Sequence, residues 1–330
     1  MMRSRYVAVG VIVLACLFAC PRPGGAMEKT AGNVEQAEKW YLSGVRFAEA
    51  EKWDKALHDL TRAISLNPQA SRAYIERARV YDALQRYEDA VDDLTRAIEM
   101  NPRAGAVFAN RGAVYFKQSR YAEALDDVNR AIVLDPRDSE AHTTRAAIHI
   151  ERGRYEEAII DASRAIRLDP ANARAYYNRG AAHYVRGAWD SAMDDFNVAL
   201  SFGMTDAAVY FKRGCALLER NRNDEAIRDF TRVISSGKLV DNAYINRADA
   251  KRKIGDMEGA LSDLTMAISV NEKNTQAYLN RSVILNDLDR FDEAVEDIKT
   301  AALLENEKAQ QYLRSVDVEW RDGALSDGKK

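Results

Sequence analysis

Three histidines are the first residues whose type and spacing suggest chemistry. His142 and His149 stand seven residues apart on one helical face, and His183 lies 34 residues beyond His149. Imidazoles so arranged could ligate a metal. Yet the same register elsewhere in the chain carries mostly Tyr, Phe, Trp or Leu, and equivalent places on neighbouring packed helices lie about 10 Å apart, too far to share an ion without further ligands. No metal site is expected. Paired acids at Asp92-Asp93, Asp126-Asp127 and Asp194-Asp195 invite an acid/base or calcium reading. Neighbouring carboxylates on a helix point in different directions, and no Asp-x-Asp-x-Asp-Gly loop occurs. Cys215 has no paired thiol and no obvious base. No catalytic residue and no cofactor is expected.

The elements that carry these residues repeat. Gly105 to Asp138, GAVFANRGAVYFKQSRYAEALDDVNRAIVLDPRD, is a 34-residue unit with relatives that follow one another without a gap from Ala37 to Lys308. Phe108, Arg111, Gly112 and Tyr115 fall at i, i+3, i+4 and i+7, and Tyr121, Ala124, Leu125, Val128, Ala131 and Ile132 keep the same period, so each unit predicts two helices. The Lys117–Arg120 segment allows only a tight connection, and Asp135-Pro136 stops the second helix. Position 20 is Ala in all eight copies, from Ala56 to Ala294, and position 8 is always small (Gly44, Ala78, Gly112, Ala146, Gly180, Gly214, Ala248, Ser282). Small residues there let two antiparallel backbones approach.

The period, the helix pair and the small/large alternation resemble the tetratricopeptide repeat. The resemblance covers eight units (37–70, 71–104, 105–138, 139–172, 173–206, 207–240, 241–274 and 275–308). It implies an all-α, right-handed superhelical solenoid of antiparallel helix pairs, acting as an interaction scaffold whose ligands vary. It also implies a concave face lined by positions 2, 5, 6, 9, 12 and 13 of the first helices. Asn110, Asn178, Asn246 and Asn280 at position 6 are similar to the asparagine ladder of O-linked N-acetylglucosamine transferase repeats, interrupted by Leu42, Glu76, Thr144 and Lys212. Position 9 is small through Ala113, Ala147, Ala181 and Cys215, beside Phe116, Tyr177, Tyr184 and Phe211. An amide rail, a small floor and aromatic walls suit an extended peptide. Solvated helix faces with a few tolerated aromatics are the plainer alternative. The clamp of chaperone-binding relatives is absent, because position 5 is never Lys and position 9 never Asn.

One regularity departs from the family pattern. Position 7, usually leucine, is Arg in seven copies (Arg77, Arg111, Arg145, Arg179, Arg213, Arg247, Arg281), and position 23 is Asp in all eight. An arginine near a helix seam needs a carboxylate. Repeat one, which has no predecessor, is the one without the Arg, having Ser43. The expectation is therefore pairing between neighbours: Asp59 with Arg77, Asp93 with Arg111, and so on to Asp263 with Arg281, leaving Asp297 idle.

Outside the repeats, Arg3 and Arg5 precede an uncharged run from Tyr6 to Cys20, short for a spanning helix but suited to a secretory signal within residues 1–26. Leu17-Phe18-Ala19-Cys20 resembles a bacterial lipobox, which would lipidate Cys20; Val13-Leu14-Ala15-Cys16 is a second candidate. Cleavage after Gly24-Gly25-Ala26, giving a secreted or periplasmic protein, and an uncleaved anchor are the alternatives. Removing residues 1–26 deletes Arg3, Arg5 and Arg22 and no acid, so the formal charge moves from −3 to −6. A mixed, mildly acidic surface argues against nucleic acid. Residues 27–36 read as a polar tether, with Asn33 and Gln36 as a capping box for a helix starting near Val34. Gly203 and Gly237 are expected to take left-handed caps where the prolines of earlier repeats are missing. At the other end, Tyr312, Val316 and Trp320 predict a capping helix over 309–321, followed by a disordered tail at 322–330.

The functional expectation is an exported, non-enzymatic scaffold that binds a polypeptide and assists complex assembly at the cell envelope, with a lipid anchor to the membrane. A substrate-recruiting or regulatory subunit of an envelope enzyme is the rival reading, and a cytoplasmic adaptor a third.

Overall fold

The computed structural model describes residues 24–320, and every regular element among them is an α-helix. The chain divides after Asn101 into two compact units. The first holds α1 (Gly24–Glu49), α2 (Trp53–Leu66), α3 (Ser71–Ala83) and α4 (Tyr87–Met100). The second begins with α5 (Gly105–Lys117), α6 (Tyr121–Leu134), α7 (Ser139–Glu151), α8 (Tyr155–Leu168), α9 (Ala173–Val185) and α10 (Trp189–Ser201). It continues through α11 (Ala207–Glu219), α12 (Asn223–Ser235), α13 (Val240–Lys253), α14 (Met257–Val270), α15 (Thr275–Asp287), α16 (Phe291–Leu303) and α17 (Glu307–Ser315).

Helices pair as the repeat predicts. A Cβ on Gly105 would meet Leu134 and Ala131, and one on Gly112 would meet Val128 and Ala124; residue numbers that rise on one helix while falling on the other mean antiparallel packing. The approach is close enough to exclude a methyl group at several pairs. A Cβ on Gly180 would lie 2.9 Å from the Phe196 ring, and on Gly214 2.8 Å from Phe230. Both rings are fully buried. Glycine at position 8 thus makes room for the large residue at position 24.

The turn inside each pair is a left-handed cap. Glu51, Gln85, Ser119, Gly153, Gly187, Asn221, Gly255 and Asp289 all have φ between +55° and +85°, and the next amide reaches back five residues, as Arg120 N does to Tyr115 O at 2.9 Å. Three of these eight residues are glycine; the others hold a conformation that disfavours a Cβ. Gly203 and Gly237 are left-handed as expected, at φ +86° and +72°. The second helices that precede Asn67 and Asp135 stop with those side chains accepting an amide two residues on, from Gln69 and Arg137.

Two terminal expectations change. The first helix starts at Gly24 rather than near Val34, because Met27 to Gln36 holds no proline and several strong helix formers; Asn33 and Gln36 lie inside the helix and cap nothing. At the other end α17 covers only Glu307–Ser315, and its buried face is Ala309 and Leu313, while Tyr312 and Val316 are exposed. Asp317 turns left-handed at φ +56° and ends the helix, so Trp320 reaches the last core as part of the following segment. The expected tail at 322–330 lies outside the described residues.

The Arg–Asp pairing between neighbouring repeats is overturned. Each arginine grips the aspartate of its own repeat with two nitrogens, as Arg213 Nε and Nη2 do with Asp229 at 2.7 Å each. Arg77–Asp93, Arg111–Asp127, Arg145–Asp161, Arg179–Asp195, Arg247–Asp263 and Arg281–Asp297 do the same. Antiparallel packing sets position 7 opposite position 23 of the same pair. The acid without an arginine is therefore Asp59, which is buried and bonded to His58 Nδ1 at 2.9 Å. Neighbours are still stitched, through the third nitrogen. Within the first unit Arg77 Nη1 donates to Thr61, and in the second Arg145 reaches Asn129, Arg179 Ser163, Arg213 Asn197, Arg247 Thr231 and Arg281 Thr265.

Candidate functional site

The first helices α5, α7, α9 and α11 lie side by side in the second unit. Alanine at position 9 lets them do so, and a cavity of about 320 Å³ opens over Ala113, Ala147 and Ala181. Phe116, Ile150, Tyr177 and Met204 form its apolar walls, and Thr143, Thr144 and Asn178 its polar lining. Lys117, Glu151, Arg174 and Lys212 stand at its edge. All of these except Met204 occupy the six positions that the family resemblance implies.

The expected site residues therefore divide. Ala113, Phe116, Thr144, Tyr177, Asn178 and Lys212 come together. Tyr184 and Phe211 are not part of the cavity's lining: Tyr184 packs edge-on against Trp189 at 5.0 Å and Phe211 against Phe230 at 5.8 Å, while Phe116 and Tyr177 line the cavity and also pack on Tyr121 and Phe196 at 5.8 and 6.0 Å. Asn110 is exposed away from the cavity, Asn246 donates to Cys215 Sγ at 3.5 Å, and Asn280 accepts from Gln276 at 2.6 Å. The amide rail is thus broken, since each asparagine has a different local environment. Asn178 is buried and donates its Nδ2 to the Thr143 carbonyl at 3.0 Å. Sequence reasoning named Lys212 but missed Met204, which occupies the place of the earlier prolines, and the charges of Lys117, Glu151 and Arg174; the loss of proline after repeat four was the available signal for Met204.

Burial, with Asp206 and Glu151 nearby, pushes the Tyr177 phenol up to about 12, so the ring presents a neutral hydroxyl. Burial likewise pushes the Cys215 thiol up to about 11, and a protonated thiol is a poor nucleophile. Among the described residues no carboxylate or hydrogen-bond partner reaches Lys212. By contrast, a groove of about 400 Å³ along α14–α16 has both of its arginines paired, with Arg281–Asp297 and Arg290–Glu293 each at 2.7 Å.

The histidines have other work. His142 Nδ1 lies 3.3 Å from Asp161 Oδ1 and His149 Nε2 3.6 Å from Oδ2, on the carboxylate that Arg145 grips. Burial pushes the Asp161 carboxyl up, but hydrogen bonds from His142 and Arg145 outweigh it and hold the group below the usual range. Burial lowers His149, and its Nδ1 is buried without a partner. His183 is also lowered by burial and does not join them. Among the described residues no group of three or more such side chains could hold a metal ion, and no helix is long and apolar enough to cross a membrane. Cys20 and the expected leader lie outside the described residues.

Family models described as tetratricopeptide repeat match residues 41–104, 75–141, 211–268 and 275–308, and one described as TPR repeat matches 146–187. A search of curated proteins finds no match. Among solved structures, a tetratricopeptide repeat protein from Parabacteroides merdae shares 19% identity at TM-score 0.54, over 76% of this chain and 99% of its own. Pseudomonas aeruginosa pilF shares 18% at 0.57, over 64% and 96%. A chain of the APC/C hetero-tetramer Cut9–Hcn1 shares 15% at 0.61, over 81% and 53%. At these identities the likeness is one of fold.

Proposed function

The chain belongs to the tetratricopeptide repeat family, and we propose that it is a non-catalytic scaffold that binds an extended polypeptide in the cavity between α5 and α11. The carrying observation is an apolar cavity of about 320 Å³ walled by Phe116, Ile150, Tyr177 and Met204 beside a half-buried, unpartnered Lys212. Rigid aromatics give contact area at low entropy cost, and a concave apolar site with a few polar groups is the usual form of a binding pocket. Members of this family are generally scaffolds, and the half-buried Cys215, its thiol pushed up to about 11 by burial, is a poor nucleophile at neutral pH.

The site of action we propose is the cell envelope, reached through the leader at residues 1–26 and a lipid on Cys20, where the scaffold assists assembly of a complex. The support is sequence alone: basic residues, an apolar run and a lipobox-like Leu17-Phe18-Ala19-Cys20. Two experiments test the pair of claims. Proteins retained by the wild-type chain and lost by both Phe116→Ala and Ala147→Phe would identify a cavity-dependent partner; identical retention by all three would refute the site. Fractionation of Cys20→Ala should move the protein from membrane to soluble fractions or leave it as precursor, whereas an unlipidated chain beginning at Met27 in intact-mass measurement would refute the anchor.

A further inference from the structure

We propose that the cavity reads a two-part signal in its polypeptide: a large apolar side chain, aromatic in size, and an acidic side chain within two residues of it. This rests on the proposed polypeptide-binding function and specifies its ligand. The apolar half follows from the walls. Phe116, Ile150, Tyr177 and Met204 enclose about 320 Å³ over alanines that project nothing into it, which is room for a phenyl or indole ring and more than a small side chain would fill.

The acidic half follows from charge. The chain as a whole carries a formal charge of −3, yet the edge of this cavity carries Lys117, Arg174 and Lys212 against Glu151. Arg174 is partly answered by Glu140 at 3.5 Å. Lys212 is half-buried, and among the described residues no carboxylate reaches it, although every neighbouring position-7 arginine has one. A partly desolvated ammonium beside an apolar pocket is most favourable when a ligand supplies the anion. Asn178 gives its Nδ2 to Thr143 and has its oxygen left to accept a backbone N–H. That fits a chain passing through the site, with the acid on a side chain rather than at a C-terminus.

The test selects random twelve-residue peptides displayed on phage against the purified full chain. Binding of the enriched sequences is then measured as acetylated, amidated, fluorescent peptides. An aromatic residue with Asp or Glu within two places should be enriched. Lys212→Glu should weaken those peptides by about tenfold, and replacing the peptide's acid by lysine should restore binding to that variant, as expected for a juxtaposed charge pair. Lys212→Ala should give an intermediate loss, which guards against a fold defect in the reversal. Enriched peptides that lack an acid, or that bind Lys212→Glu unchanged while losing affinity for Phe116→Ala, would overturn the inference and leave the binding site standing. Peptides that bind only with a free C-terminal carboxylate would overturn the side-chain assignment. Failure to enrich any peptide sensitive to Ala147→Phe would overturn both readings.

Discussion

Asn178 and Arg179 are adjacent on α9 and point to different faces, and they differ in how the chain uses them. Position 7 is Arg in seven repeats and closes on the same aspartate each time; position 6 reads Leu42, Glu76, Asn110, Thr144, Asn178, Lys212, Asn246 and Asn280. The constant face is architecture. It holds the helix pair shut and touches the preceding repeat at a hydroxyl or amide. Thr144, Asn178 and Lys212 stand in succession on the variable face and together line the cavity of about 320 Å³. In a repeat protein, what recurs supports the stack, and what varies over a constant floor is where a ligand can be distinguished.

The largest expected effect comes from breaking the constant face. Asp229→Ala strands Arg213, whose side chain is 20% exposed, and should cost about 3 to 5 kcal/mol in denaturant unfolding. Asp59→Ala, at the one copy lacking an arginine, should cost far less, and an equal loss would show that the ion pair is not the stabilising element. Gly214→Ala should come next, at about 1 to 3 kcal/mol, because the added methyl meets Phe230 in a closed seam. A neutral result there would mean that the pair can open without penalty.

On the variable face, Phe116→Ala removes cavity lining and packing on Tyr121 together, so it should lower the melting temperature and also weaken peptide binding by about 1 to 3 kcal/mol. Tyr184→Ala, outside the cavity lining, should lower the melting temperature and leave peptide binding nearly unchanged. Titration of peptide into both variants beside thermal melts separates the two, and matching effects would erase the distinction drawn between these aromatics.

The smallest effect concerns repeat four. His149 has a lowered pKa in the folded chain, so the unfolded state binds more protons as pH falls through the ordinary imidazole range, and stability declines with acidification there. Asp161, also lowered, adds its loss at lower pH, in the carboxylate range. Replacing His149 with Tyr, which repeats two and three carry as Tyr81 and Tyr115, should flatten the fall in melting temperature between pH 7 and pH 5 by an amount worth about 1 kcal/mol or less. An unchanged slope would assign the acid sensitivity elsewhere.

Much of this molecule was determined by local pattern: the repeat boundaries, the helix pairing and the small residues at positions 8 and 20. The Arg–Asp partnership was not. Asp93 is 16 residues from Arg77 and 18 from Arg111, and the periodic sequence offers both pairings to every aspartate but the first and the last. Antiparallel packing decided for the nearer one, because it fixes position 7 against position 23 of the same pair and leaves only the third guanidinium nitrogen for the neighbour. The cavity was likewise a tertiary outcome. Phe116, Tyr177, Tyr184 and Phe211 look equivalent along the chain, and all four pack in part on neighbouring cores, but of these only Phe116 and Tyr177 line the cavity. Met204, distant from the inner positions in the repeat, completes the wall because it packs with Tyr177 on the core of Ala192, Phe196 and Val209.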